Sequence, residues 1–165
     1  MKPKLPQLHA VIGVRYSRNR TFYVKRSQKM ANYPGVWSLP SIQFDHKQTS
    51  DPTDLSNVRS LMEKLSRERL GGVPIELRRF LTAGDSAESP VDKHVFLYLY
   101  EIELPREPRL NPDYYTEAAW LTAREYEQRS AGEPCGLCLR LWSDYAWMSG
   151  ITDRPFVAQS VGSNA

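Results

Sequence analysis

Apolar residues fall along the chain in two rhythms. His9-Ala-Val-Ile-Gly-Val-Arg15 and Thr21-Phe-Tyr-Val-Lys-Arg26 are short, β-branched and aromatic runs separated by Ser17-Arg-Asn-Arg20, a pattern that predicts two strands joined by a turn. Ala31 to Gly35 reads as a loop, and Trp37 to Phe44 as extended chain. The rhythm then changes: Leu55, Val58, Leu61, Met62 and Leu65 recur at helical spacing. Asp51 is the expected cap of this helix, with Pro52 at its first position and Asp54 favouring the positive end of its dipole. Gly71-Gly72 supplies the stop.

Beyond the helix, Ile75 to Thr82 predicts a strand and Gly84 to Lys93 a flexible loop. His94 to Leu104 predicts a long central strand, since both of its faces are apolar or aromatic. After a Pro-rich connection, Ala118-Ala-Trp-Leu121 is a short strand. Thr122 with Glu125 forms a capping box that opens a helix to about Arg129. A last helix runs from about Gly136 to Met148, and residues after Pro155 read as a tail. Strands, helix, strands, helix is not the alternation of a doubly wound fold. It predicts an α+β sandwich with a mixed sheet, one domain over 1–165 with its core at about 8–150 and a flexible tail at 156–165.

Composition changes this picture little. The apolar run Val95 to Tyr100 is too short to span a bilayer, so no membrane association is expected. The first residues lack the apolar stretch of a leader, and two cysteines suit a reducing cytoplasm. Charge is informative because it is uneven. The net charge is +3, yet residues 1–44 hold eight lysines and arginines and no acid. That is either a solvated basic face or a surface that attracts phosphate. No RNA-binding or zinc-finger spacing accompanies it, and no feature supports a nucleic-acid or protein partner or sets an oligomeric state.

Candidate chemistry is sparse. Cys135-Gly-Leu-Cys138 is half of a zinc site, but His9, His46 and His94 are all distant in sequence, so packed cysteines at a helix start are expected. No nucleophile triad or Gly-rich phosphate loop is present. Tyr33 and Trp37 can stack on a flat ligand, although Trp37, like Trp120, has the character of a core residue.

Four segments in order carry a resemblance. They are Val24-Lys-Arg26, then Pro34-Gly-Val-Trp-Ser-Leu-Pro40, then the helix ending near glycine, then Glu117-Ala-Ala-Trp-Leu-Thr122. Together they resemble the Nudix hydrolase superfamily over roughly Leu8 to Tyr126. The resemblance implies a Nudix-like α/β/α sandwich. It also implies a catalytic helix of pattern Arg-Glu-hydrophobic-x-Glu-Glu-x-Gly, whose carboxylates hold magnesium against a diphosphate. This chain departs from that pattern. Ser41-Ile42 replaces a Gly-Gly pair, and the first signature glutamate falls near Gln48. In one register Glu63 to Glu68 matches and Glu68 is the one surviving ligand. In the other, Arg59 to Lys64 matches and Glu63 survives. The first places Leu65 in the apolar stripe, with Glu68 flanking it at about 100° per residue. Lys64 and Arg67 stand where carboxylates are expected, either as phosphate contacts or as exposed ion pairs with Glu68 and Glu63.

The resemblance thus implies a degenerate Nudix box that binds a nucleotide-like or phosphorylated small molecule through Arg26, Tyr33, Lys64 and Arg67, without standard hydrolysis and without a cofactor. The alternative is a divergent hydrolase cleaving a nucleoside diphosphate linked to another group. There Mg2+ is held by Glu68, or by Glu63 in the second register, with Asp85, Glu88 or Glu117 as replacement acids.

Overall fold

The computed structural model describes residues 5–45, 51–88 and 92–157. Two sheets form the middle layer. In the first, β1 (Gln7–Val14) lies parallel to β7 (Lys93–Glu103), with β5 (Ser41–Phe44) and β6 (Glu76–Glu88) antiparallel on the outsides, in the order β5-β1-β7-β6. In the second, β3 (Arg20–Arg26) pairs antiparallel with β2 (Tyr16–Ser17), β4 (Trp37–Ser38) and β8 (Tyr115–Thr122). The expected mixed sheet is present, and the antiparallel second sheet completes it. The extended stretch from Trp37 to Phe44 is therefore two strands in two sheets, with the chain crossing between them at Leu39-Pro40.

Helix α1 (Leu55–Arg69) covers one side and helices α2 (Ala123–Arg129) and α3 (Leu137–Met148) the other. The apolar stripe of α1 buries Val58, Leu61, Met62 and Leu65 against Phe22, Ile42, Tyr100 and Ile102. On the opposite side, Leu139, Trp142 and Ala146 of α3 pack with Tyr23, Leu97, Leu99 and Tyr126.

Several boundaries differ from expectation. Asp54, not Asp51, caps α1 by accepting from the Ser56 amide at 3.0 Å, whereas Asp51 closes a turn on Thr53. Two acids within four residues compete for one cap, and the one nearer the apolar stripe takes it. Strand β6 runs through the expected loop to Glu88, because β7 pairs with it as far as Glu88↔Lys93. A long, well-packed strand overrides the weak local preference of Gly84-Asp-Ser-Ala87. Phe156, placed by the sequence in the tail, is 3% exposed and packs edge-on against Tyr23 and Tyr126. The end of α1 follows expectation: Gly71 has φ +71°, and a Cβ there would lie 2.5 Å from the Arg109 carbonyl oxygen. Among the described residues no helix is long and apolar enough to cross a membrane.

Burial raises the pKa of Tyr23, Tyr100 and Tyr126 above the ordinary tyrosine value. Unfolded tyrosines ionise near pH ~10 while these three stay protonated, so stability falls as pH rises beyond that point. Tyrosinate absorbance should show Tyr23, Tyr100 and Tyr126 ionising together with loss of structure rather than before it. Three non-cooperative titrations in a still-folded chain would contradict the packing.

Candidate functional site

A cleft of about 120 Å³ lies where the two sheets part. β1 contributes Leu8, Ala10 and Ile12, β7 contributes Val95 and Leu97, and the first turn of α3 contributes Leu137, Cys138 and Leu139. The opposite side is the loop before β4, with Asn32, Tyr33 and Val36, followed by Trp37 and Ser38. Among the described residues two cations, Arg26 and Arg69, line this cleft, and no aspartate or glutamate does.

Arg26 ends β3, and its Nε and Nη2 donate to the Asn32 carbonyl at 3.0 and 2.7 Å. Nε also donates to the Tyr33 carbonyl at 3.1 Å. It thereby braces the loop that forms one wall, in which Tyr33 takes a left-handed φ of 49°. Burial, and then the charge of Arg69, hold the Arg26 pKa below the ordinary arginine range, although the neighbouring Tyr115 and Cys138 work in the other direction.

Arg69 arrives from the last turn of α1. Asn111 fixes that turn: its side-chain amide donates to the Glu68 carbonyl at 2.8 Å and its backbone N–H to that of Arg69 at 3.0 Å. The Arg69 guanidinium lies 4.2 Å from the Tyr114 ring centre, and Nη1 donates to the Tyr115 hydroxyl at 3.3 Å. That hydroxyl also accepts from the Ser41 amide at 3.0 Å, so Arg69 is tied to the crossover between sheets. Its Nε is the one buried side-chain nitrogen or oxygen among the described residues without a hydrogen-bond partner. A third positive element is the start of α3, which has Gly136 at its N-cap and no side-chain cap.

The sequence-predicted residues divide. Arg26 and Tyr33 line the cleft; Glu63, Lys64, Arg67 and Glu68 do not. Glu68 pairs with Lys64 at 4.0 Å, each side chain more than a third exposed. Glu63 and Arg67 are exposed on another face of α1, beside a separate concavity that includes Arg59. Asp85 pairs with His94 at 2.6 Å on β6, and Glu117 is exposed on β8 opposite Lys25. Glu88 ends β6, but its side chain lies outside the described residues, as do Gln48 and His46.

Three cations of the basic run are engaged elsewhere. Arg15 pairs with Glu103 and Glu107, Arg20 with Glu125, and Lys29 with Asp113. Arg69 was not singled out in the sequence. Its signal was position: it sits four residues beyond Leu65, so a cation continues the apolar stripe.

The donor set can be tested against the metal that the resemblance implies. Divalent magnesium needs converging carboxylates. Among the described residues no three His, Cys, Asp or Glu side chains stand close enough to hold an ion, and the two cleft cations oppose one. Cys135 and Cys138 are both half-buried. The Cys138 sulfur lies 3.5 Å from Ser38 Oγ.

The sequence matches no protein-family profile and no curated protein. Solved structures do match. A MutT NUDIX hydrolase from Burkholderia pseudomallei aligns at 20% identity and a TM-score of 0.62, over 84% of this chain and 97% of that one. A NUDIX hydrolase from Nitrosomonas europaea aligns at 13% identity and 0.62, over 93% of each chain. The NUDIX domain of Shewanella oneidensis NrtR, solved with ADP ribose, aligns at 14% and 0.57, over 92% and 91%. The architecture is a Nudix fold: an α+β, α/β/α sandwich around a mixed sheet. At these identities the likeness is one of fold.

Proposed function

We propose that this chain binds a nucleotide-like or phosphorylated small molecule in the cleft between its sheets, without the glutamate-and-magnesium hydrolysis of its structural neighbours. One observation carries the reading: the cleft has two arginines, one with an unpartnered buried Nε, and no carboxylate. A buried charged donor without a partner is costly, and an anionic oxygen removes that cost. Arg69 is the principal contact. Arg26 presents Nη1 while its other nitrogens hold the loop, and the open first turn of α3 adds to the positive field. Tyr33 forms the side wall. The NrtR domain supports a nucleotide-linked ligand on this scaffold, since it was solved with ADP ribose. A reducing cytoplasm fits a chain with two cysteines.

The test is thermal stabilisation by phosphorylated compounds, including nucleoside monophosphates and ADP-ribose, with magnesium and with chelator. The expected result is stabilisation that survives chelation, with every compound recovered intact. Stabilisation that requires magnesium and is accompanied by cleavage would instead identify a hydrolase whose metal ligands come from residues outside those described.

A further inference from the structure

The shape and lining of the cleft narrow what the anion is attached to. We infer that the ligand is a small amphipathic molecule with a single anionic head, a phosphate monoester or a carboxylate, on an apolar body the size of a single ring or branched alkyl group. This rests on the anion-binding reading given above.

The donor count sets the head. Arg26 has spent Nε and Nη2 on the loop carbonyls, and Arg69 has spent Nη1 on Tyr115. Arg69 Nε is buried, so the nitrogens left for a ligand are Arg26 Nη1 and Arg69 Nη2, and two guanidinium donors of this kind grip two oxygens of one phosphate or carboxylate. With no carboxylate among the described residues that line the cleft to recruit a counter-cation, a second phosphate finds nothing beyond the two arginines to neutralise it.

The body follows from the walls. On β1 and β7, Leu8 lies beside Val95 and Ala10 beside Leu97 in the sheet register, so one continuous aliphatic strip faces the cleft. Leu139 of α3 closes it. Sugar hydroxyls set against such a strip would lose their hydrogen bonds to water without replacement. The enclosed part of the cleft, about 120 Å³, is of the order of a dry aliphatic cavity that holds a benzene ring, so one ring is buried and the anionic head lies towards the open side.

Four probes separate the possibilities by calorimetry in chelator: phenyl phosphate, benzoate, ribose 5-phosphate and ADP-ribose. Phenyl phosphate or benzoate is expected to bind about ten- to a hundredfold more tightly than ribose 5-phosphate, the gain from burying one ring. Their relative affinities identify the head. Val95→Thr keeps the wall's shape and adds a hydroxyl, so it should weaken the ring-bearing probes about tenfold and ribose 5-phosphate by less. An unchanged circular dichroism spectrum and melting temperature report that the variant is folded. Ribose 5-phosphate or ADP-ribose binding as well as phenyl phosphate would overturn the amphipathic ligand and leave the anion cleft standing. Binding of none of the four by the wild-type chain would overturn both.

Discussion

Arg69→Met should abolish anion binding and leave the fold about as stable as before. Two opposing contributions set the stability. The substitution removes a stacking contact with Tyr114 at 4.2 Å, worth ~0.5–2 kcal/mol, and one hydrogen bond to Tyr115. It also removes a buried Nε that makes no hydrogen bond, a cost of about 1–3 kcal/mol. Methionine refills the space with a flexible apolar chain. The net change in urea unfolding should lie within about 1 kcal/mol of zero. Binding has no such compensation. A charge-assisted bond contributes about 1.5–3 kcal/mol, so losing a two-pronged grip weakens affinity at least ~100-fold. Stability kept while function is lost is the pattern of a residue maintained for its ligand. Loss of several kcal/mol of stability would mark Arg69 as structural instead. Arg26→Met, by contrast, should fail on both measures, because its donors satisfy the Asn32 and Tyr33 carbonyls that shape the wall.

This contrast bears on what was legible in the sequence. Local rules located the elements whose signals are local. The box at Thr122 and Glu125 closes with both hydrogen bonds, and the apolar stripe of α1 is buried as spaced. The ordered Pro-Gly-x-Trp and Glu-x-x-Trp segments led to the fold class, since they occupy β4 and β8 on either side of β3. What failed to show was whatever depends on a partner distant in sequence. β6 extends into the expected loop because β7 is there to pair with it. Phe156 leaves the tail because Tyr23 and Tyr126 offer it a pocket.

The lining of the cleft was legible in part for the same reason. Arg26 and Tyr33 flank a recognisable loop, and both line the cleft. On α1 the carboxylate pattern points to Glu63, Lys64, Arg67 and Glu68. The helix turns those four away from the cleft and presents Arg69, a residue the pattern treats as variable. Its direction depends on Asn111 and Tyr115, more than forty residues downstream, which no helical wheel contains.

Trp142→Ala should give the largest stability loss, because one side chain joins α3 to the second sheet. Trp142 is fully buried, lies 5.3 Å from the Tyr16 ring, and donates from Nε1 to Thr21 Oγ1 at 3.0 Å. Truncating a buried tryptophan costs about 3–5 kcal/mol, or roughly 6–20 °C in melting temperature for a domain of this size. Thr21→Val isolates the polar part: it leaves the indole N–H buried and unpaired, for a loss of about 1–3 kcal/mol. The consequence reaches the cleft, because α3 begins at Leu137 and its first turn is a wall. If the sheet anchors that wall through Trp142, then Trp142→Ala should weaken ligand binding at temperatures where the chain is still folded, whereas Thr21→Val should weaken it less. A Trp142→Ala protein that loses the full stability yet binds as tightly as the wild type would separate the two, and would mean that the cleft is held by its β1, β7 and Arg26-braced sides alone.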